Sequence, residues 1–223
     1  GYRDEFTGEQ QEQQESMAFL SRALLIAVSI MLIILVSQFN SVVKPAIILF
    51  SVVLSTIGVF GGLGTFKMDF IVIMTGIGIV SLAGVVVNNA IVLIDYINLL
   101  KARKRKELGL QENDNLPVSE SMNCIVEGGK TRLRPVLLTA ITTILGLLPL
   151  ASGLNIDIIG FLSEFDANIY WGGDNVKYWG PMSWTVIFGL SFATFLTLII
   201  VPAMYHVLYL AKIRMLQLKE RYF

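Results

Sequence analysis

Gly84-Val85-Val86-Val87-Asn88-Asn89-Ala90-Ile91-Val92-Leu93-Ile94-Asp95 sets two adjacent carboxamides deep in an apolar run and follows them, two helical turns on, with a carboxylate. A run this long and this apolar reads as a membrane-crossing helix. A buried amide without partners is costly in a medium that cannot hydrogen-bond, so neighbouring helices must meet Asn88 and Asn89 at that depth. Intramembrane polar groups of this kind mark functional sites by default. The plainer reading is an interhelical hydrogen-bond clasp, worth only about 1 kcal/mol. Around the pair, Thr75, Gly78, Ser81, Gly84 and Asn88 recur at three- and four-residue steps and share a face, with Asp95 on roughly the same side. The stripe reads as an inward seam with room for water, and Ile73, Ile77, Val80 and Val87 take the opposite face.

The rest of the chain fits the same solvent. Its 223 residues are 54% hydrophobic and 15% charged, with formal net charge zero, and the mean hydropathy is +0.68. That composition belongs to membrane proteins and offers no electrostatic case for a nucleic-acid partner. A single cysteine, Cys124, excludes an internal disulfide and cannot build a metal site alone, and a single histidine, His206, further weakens any zinc reading. The expected fold is all-α: a polytopic bundle of five transmembrane helices plus a short cytoplasmic surface helix. Residues 1–15 read as a polar linker or a helix extension, 16–212 as the transmembrane domain, and 213–223 as a cytoplasmic tail.

The five spans are expected at about 17–39, 45–65, 70–98, 135–152 and 183–210. Each offers roughly the 20 residues that a ~30 Å hydrocarbon core requires. Pro45 suits the start of the second span, and Gly58 and Gly62 make a GxxxG step for close helix approach. Pro117 is expected to open the surface helix, with Val118, Met122, Ile125 and Val126 on its apolar side and Gly128-Gly129 ending it. Pro135 would then begin span four, with Thr139, Thr142, Thr143 and Gly146 on one small, polar face. Residues 153–182 read as a solvated loop with interfacial aromatics such as Tyr178 and Trp179; its acids lack the spacing of a calcium loop.

Charge fixes the expected orientation. Lys44, the eight basic residues from Lys101 to Arg134, and Lys212, Arg214, Lys219 and Arg221 fall on one side, thirteen of the 17 Lys and Arg. The positive-inside rule makes that side cytoplasmic and places the amino-terminal end outside. Absence of a basic n-region before the first apolar segment suggests a portion of a longer protein.

Three stretches carry a resemblance to a known family: Gly84–Tyr96; Arg132-Leu133-Arg134-Pro135-Val136-Leu137-Leu138-Thr139 with Gly146 and Pro149 beyond; and Phe192–Tyr205 with Pro202. They resemble the carboxy-terminal membrane half of a resistance-nodulation-division transporter, in the hydrophobe/amphiphile multidrug efflux branch of Gram-negative inner membranes. The resemblance implies that these are the last five of twelve spans and that residues 1–15 leave a large periplasmic porter domain. It implies a homotrimer that exchanges protons for substrates, with a periplasmic adaptor and an outer-membrane channel as partners and the proton-motive force in place of a cofactor. The position equivalent to Asn88-Asn89 in the amino-terminal half is usually a titrating Asp-Asp pair, so Asn88 and Asn89 look like its amide copy. In several family members a lysine stands where this chain has Asn88, an amide that donates hydrogen bonds but carries no charge. Arg132 and Thr139 match two further members of the relay. Their plainer readings are a headgroup-binding arginine and a packing threonine.

The resulting expectation is the partner side of a proton relay built from Asn88, Asn89, Arg132 and Thr139, with Gly58, Gly62, Gly78, Ser81 and Gly84 as packing seam and no metal. The competing class is a non-pumping membrane module, a scaffold, sterol-sensing relative or protein-export accessory that uses the same seams for assembly. A heavy-metal pump is disfavoured because Met31, Met68 and Met74 do not cluster on one seam. Nothing supports a soluble enzyme: there is no nucleophile–base pair, phosphate loop or metal-ligand spacing.

Overall fold

A computed structural model describes residues 8–111, 114–155 and 169–222, with the side chains of Glu9, Lys212 and 216–222 outside that description. Five long helices dominate: α1 (Glu9–Phe39), α2 (Val43–Thr65), α3 (Val72–Glu107), α4 (Val118–Ser152) and α5 (Asp174–Tyr222). All five are long and apolar enough to cross a membrane. Between α4 and α5, β1 (Leu154–Asn155) and β2 (Tyr170–Trp171) form a two-residue antiparallel pairing, Leu154 opposite Trp171.

α5 is the hub. It packs on α2, α3 and α4, while α1 leans mainly on α2 and α3. The shared core takes Ile47, Ile48 and Val59 from α2, Leu82, Val86 and Ile94 from α3, and Leu190 and Val201 from α5. Small residues let these helices close. A Cβ on Gly58 would land on the Phe192 side chain, one on Gly62 on Phe188, and one on Gly189 on Leu82. On α3, a Cβ at Gly78 would stand 2.9 Å from Thr185 Cβ and 3.0 Å from the Met182 carbonyl. Hydroxyls buried in these seams turn back on their own helices. Ser51 donates to Ile48 O at 2.6 Å, Ser55 to Val52 O at 2.6 Å, and Thr194 to Leu190 O at 2.6 Å. Local bonding of this kind satisfies a hydroxyl where no water is at hand.

The α-helices overrun several expected boundaries. The polar tract from Glu9 continues α1 as an exposed helical extension, with Gln11 donating to Glu15 at 3.1 Å. α3 carries on through the basic run to Glu107, and α5 starts at Asp174, so Tyr178 and Trp179 are helical rather than in a loop. Asp157, Glu164 and Asp166 lie outside the described residues.

One expectation is corrected. There is no separate surface helix before span four: residues 118–152 form one helix that runs through Gly128-Gly129 and Pro135. A mid-helix glycine costs only about 1 kcal/mol relative to alanine, which packing easily offsets. Here Gly128 is buried, and a Cβ on it would sit 2.7 Å from Ile97 Cγ1. That glycine is a crossing point between α3 and α4, not a stop. Ser121, Cys124 and Ile125 are buried on the same side, whereas Val118 and Met122 are exposed. The true stop is Gly153, whose φ of 78° closes the helix in the left-handed region.

Coverage within the chain is uneven. About half of the most apolar stretch of α3 (50%) is buried, and 44% of that of α2 and of α5, against 17% for α4 and 6% for α1. The exposed side chains of α1 include Phe19, Leu25, Ile33 and Ile34, apolar groups that lipid tails cover at no cost.

Candidate functional site

The α3 stripe divides in two. Thr75, Gly78, Leu82, Val86, Asn89 and Leu93 face the bundle and are buried. Ser81, Gly84, Asn88 and Asp95 are exposed, on the side that also carries Ile73 and Ile77. Val87, expected outside, is buried at 6% exposure. A strip three and four residues wide spans more of the helix circumference than one neighbour covers. The asparagine pair splits with it: Asn89 is 8% exposed while Asn88 points away from the bundle. Neither side chain makes a hydrogen bond among the described residues.

α4 runs antiparallel beside α3, crossing at Gly128 against Ile97. One turn on, the Arg132 guanidinium carbon lies 4.4 Å from the centroid of the Tyr96 ring. Cation–π contact of this kind holds the arginine on the α3 surface. Its Nε is buried and has no hydrogen-bond partner among the described residues. A buried, unsatisfied donor on a charged group costs roughly 1–3 kcal/mol or more, so a partner outside these helices, or water, has a place here. Seven residues further along α4 and seven back along α3 bring Thr139 level with Asn89. Thr139 donates to its own helix at Val136 O, 3.0 Å, and Thr142 to Leu138 O at 2.9 Å; both residues are exposed, as is Gly146.

The result is a two-helix surface at mid-membrane depth. From α3 it presents Ser81, Gly84 and Asn88, and from α4 Thr139, Thr142 and Gly146, with Arg132 toward the basic end. A Cβ added at Gly84 or at Gly146 would meet nothing within 4 Å. Of the residues singled out from sequence, Asn88, Arg132 and Thr139 border this one surface, together with Ser81 and Gly84. Gly58, Gly62 and Gly78 serve the α5 seams, and Asn89 stands behind the surface. Asp95 is exposed and forms no ion pair among the described residues. Tyr96 is the addition: an aromatic two turns after Asn88 on the way to a basic flank reads from sequence as an interfacial anchor, and only the fold sets it under Arg132.

Comparison with known proteins fits this architecture. The model of the AcrB/AcrD/AcrF family matches residues 1–159. Over 194 residues the chain is 37% identical to the swarming motility protein SwrC of Bacillus subtilis (strain 168), an alignment covering 87% of this chain and 15% of that protein. It is 28% identical over 204 residues to the multidrug resistance protein MdtC of Erwinia tasmaniensis, covering 92% of this chain and 16% of that one. Among solved structures, a crystal structure of a heavy metal efflux pump superposes with a TM-score of 0.67 and 28% identity, over 90% of this chain and 16% of the pump. The chain therefore spans about a sixth of the length of these relatives. Its fold, its five spans and a family match over most of its length agree: the chain belongs to the AcrB/AcrD/AcrF family of resistance-nodulation-division transporters, as part of their membrane region.

Proposed function

We propose that this chain is the carboxy-terminal membrane half of a proton-driven efflux transporter for hydrophobic or amphiphilic compounds, and that the α3–α4 surface is its side of the proton relay. The observation that carries the reading is an outward-facing Asn88 on the same surface as a half-buried Arg132 whose Nε lacks a partner among the described residues. A carboxamide and a guanidinium are poor company for lipid tails but good company for carboxylates. The amino-terminal half of the parent protein would supply those acids. Asn88 would hydrogen-bond them, Asn89 would support it from behind, Arg132 would hold down their proton affinity, and Thr139 would orient water. Protonation removes the charge that Arg132 and the amide stabilise, and the helices then shift as rigid bodies between two packings.

The same reading places the chain in a bacterial inner membrane, amino-terminal end periplasmic and carboxy-terminal end cytoplasmic. It gives the porter domain, a homotrimer, a periplasmic adaptor and an outer-membrane channel as partners. The test is efflux of an amphiphilic dye from cells carrying the intact protein with Asn88→Leu or, separately, Arg132→Ala. Each loses about tenfold or more, the equivalent of one hydrogen bond to a charged group. Wild-type rates in both variants would remove the relay.

Likeness to heavy metal efflux pumps favours a second cargo class, metal cations. Of the methionines a soft-metal path would use, Met31 and Met68 pack against the apolar core, which supports the amphiphile reading. Metal tolerance measured in the same cells separates the two.

A further inference from the structure

An arginine side chain keeps its charge in proteins, so the α3–α4 pair has to accommodate Arg132 as a cation. No ion pair among the described residues includes it. Its neighbours on α4, Lys130 and Arg134, are exposed, whereas Arg132 is half-buried. Across on α3, Asp95 is exposed and forms no ion pair either, so no described carboxylate holds the guanidinium. What does face it is a ring: the guanidinium carbon stands 4.4 Å from the centroid of Tyr96.

A long cationic side chain near the end of a span has another course open to it. It can snorkel, carrying its head to the water and headgroups at the basic end of the bundle. A ring face competes with that course, because it attracts a guanidinium without supplying a hydrogen bond. The fold fixes the ring. Tyr96 is half-buried and precedes Ile97, which is fully buried where α3 crosses Gly128. Gly128 brings the two helices together, and Arg132, four residues on, lies one turn away on the same side of α4. We propose that Tyr96 is a positioning residue of the relay, whose ring stands in for a counter-ion and keeps the Arg132 charge on α3 within reach of the Asn88 surface. The inference rests on the relay reading and adds a residue to it.

Position matters because the field of a charge depends on what surrounds it. Tyr96 follows Asn88 by eight residues, about 12 Å along the helix. At about 12 Å and an effective dielectric of about 20, a unit charge moves a carboxylate's titration by about one pH unit. Through water the same charge moves it by about a quarter of that. A ring-held Arg132 therefore lowers the proton affinity of acids placed against Asn88, and a snorkelled Arg132 largely does not. The Tyr96 hydroxyl has no part in this. That separates the role from an interfacial anchor, which needs its polar tip.

The test is the pH dependence of dye efflux by the intact protein in proteoliposomes, with the pH difference across the membrane held constant. Removing the cation raises the proton affinity of the acids, so Arg132→Ala moves the midpoint of the profile up by about one unit. Tyr96→Leu moves it up by roughly half as much or more, and Tyr96→Met, which also lacks a ring, repeats the shift. Tyr96→Phe keeps the ring face and the wild-type midpoint. Adding Tyr96→Leu to Arg132→Ala gives no further shift. A midpoint does not depend on how many pumps are folded, so a poorly expressed variant still reports. A wild-type midpoint in Tyr96→Leu beside a shifted Arg132→Ala overturns this inference and leaves the relay standing. So does Tyr96→Phe shifting like Tyr96→Leu, which would place the effect in the hydroxyl, or an additive double variant, which would place it outside Arg132. An unshifted Arg132→Ala overturns the relay's use of the charge and this inference with it.

Discussion

Successive side chains on an α-helix are about 100° apart, so adjacent identical residues need not share a role. Asn88 and Asn89 divide between outside and inside on that ground alone, and the glycines divide the same way. Gly58 is pressed against Phe192, whereas a Cβ at Gly84 meets nothing. Gly58→Val in the intact protein therefore costs about 1–3 kcal/mol through overpacking, read as a drop of several degrees in its thermal midpoint. Gly84→Ala shifts that midpoint less than Gly58→Val does, since within this chain its Cβ meets nothing and alanine is the better helix former. Equal destabilisation by the two would mean that the Gly84 face is as tightly packed as the Gly58 face.

Helices keep their course where packing rewards it, even through residues that usually end them. α4 shows this at Gly128-Gly129. Gly128 meets Ile97, while Gly129 has open space around its Cβ position. Gly129→Ala thus stabilises by up to about 1 kcal/mol through propensity, and Gly128→Ala destabilises because Ile97 must move. Circular dichroism melts of the two variants have opposite signs; matching signs would show that α4 does not cross α3 at that glycine. The far end of α4 is tied differently. Trp184 Nε1 of α5 donates to Ala151 O at 2.9 Å, and the ring stacks on Phe188 at 5.3 Å between centroids. Trp184→Phe keeps the stack and leaves the carbonyl bare, for a loss of about 1 kcal/mol in the same melts. At its start α4 faces α3 instead, with Glu120 3.7 Å from Lys104, but a half-exposed ion pair contributes little.

For the molecule as a whole, the bundle has one basic end, and its orientation can be read by chemical labelling. With Cys124→Ser to remove the native thiol, a membrane-impermeant maleimide labels Asp69→Cys in whole cells and labels Glu107→Cys only after lysis. The reverse pattern would invert the proposed topology. The number of spans, their order and the clustering of basic residues were all legible in the sequence, because length, hydropathy and charge are local properties that a bilayer reads segment by segment. Amides at mid-membrane depth were legible too, since Asn88 and Asn89 break an otherwise apolar run. What only the tertiary structure decided was which side of each helix is spoken for. A stripe from Thr75 to Asn88 looks continuous along the chain, yet Thr75 and Gly78 are buried, Gly78 against Thr185 of α5, while Ser81, Gly84 and Asn88 stay bare. Likewise Gly128, a helix stop by local propensity, becomes a crossing point once Ile97 lies against it. Propensity and pattern act over a few residues, whereas the choice of buried face depends on partners far along the chain, Ile97 for Gly128 and Thr185 for Gly78, and no local rule contains them.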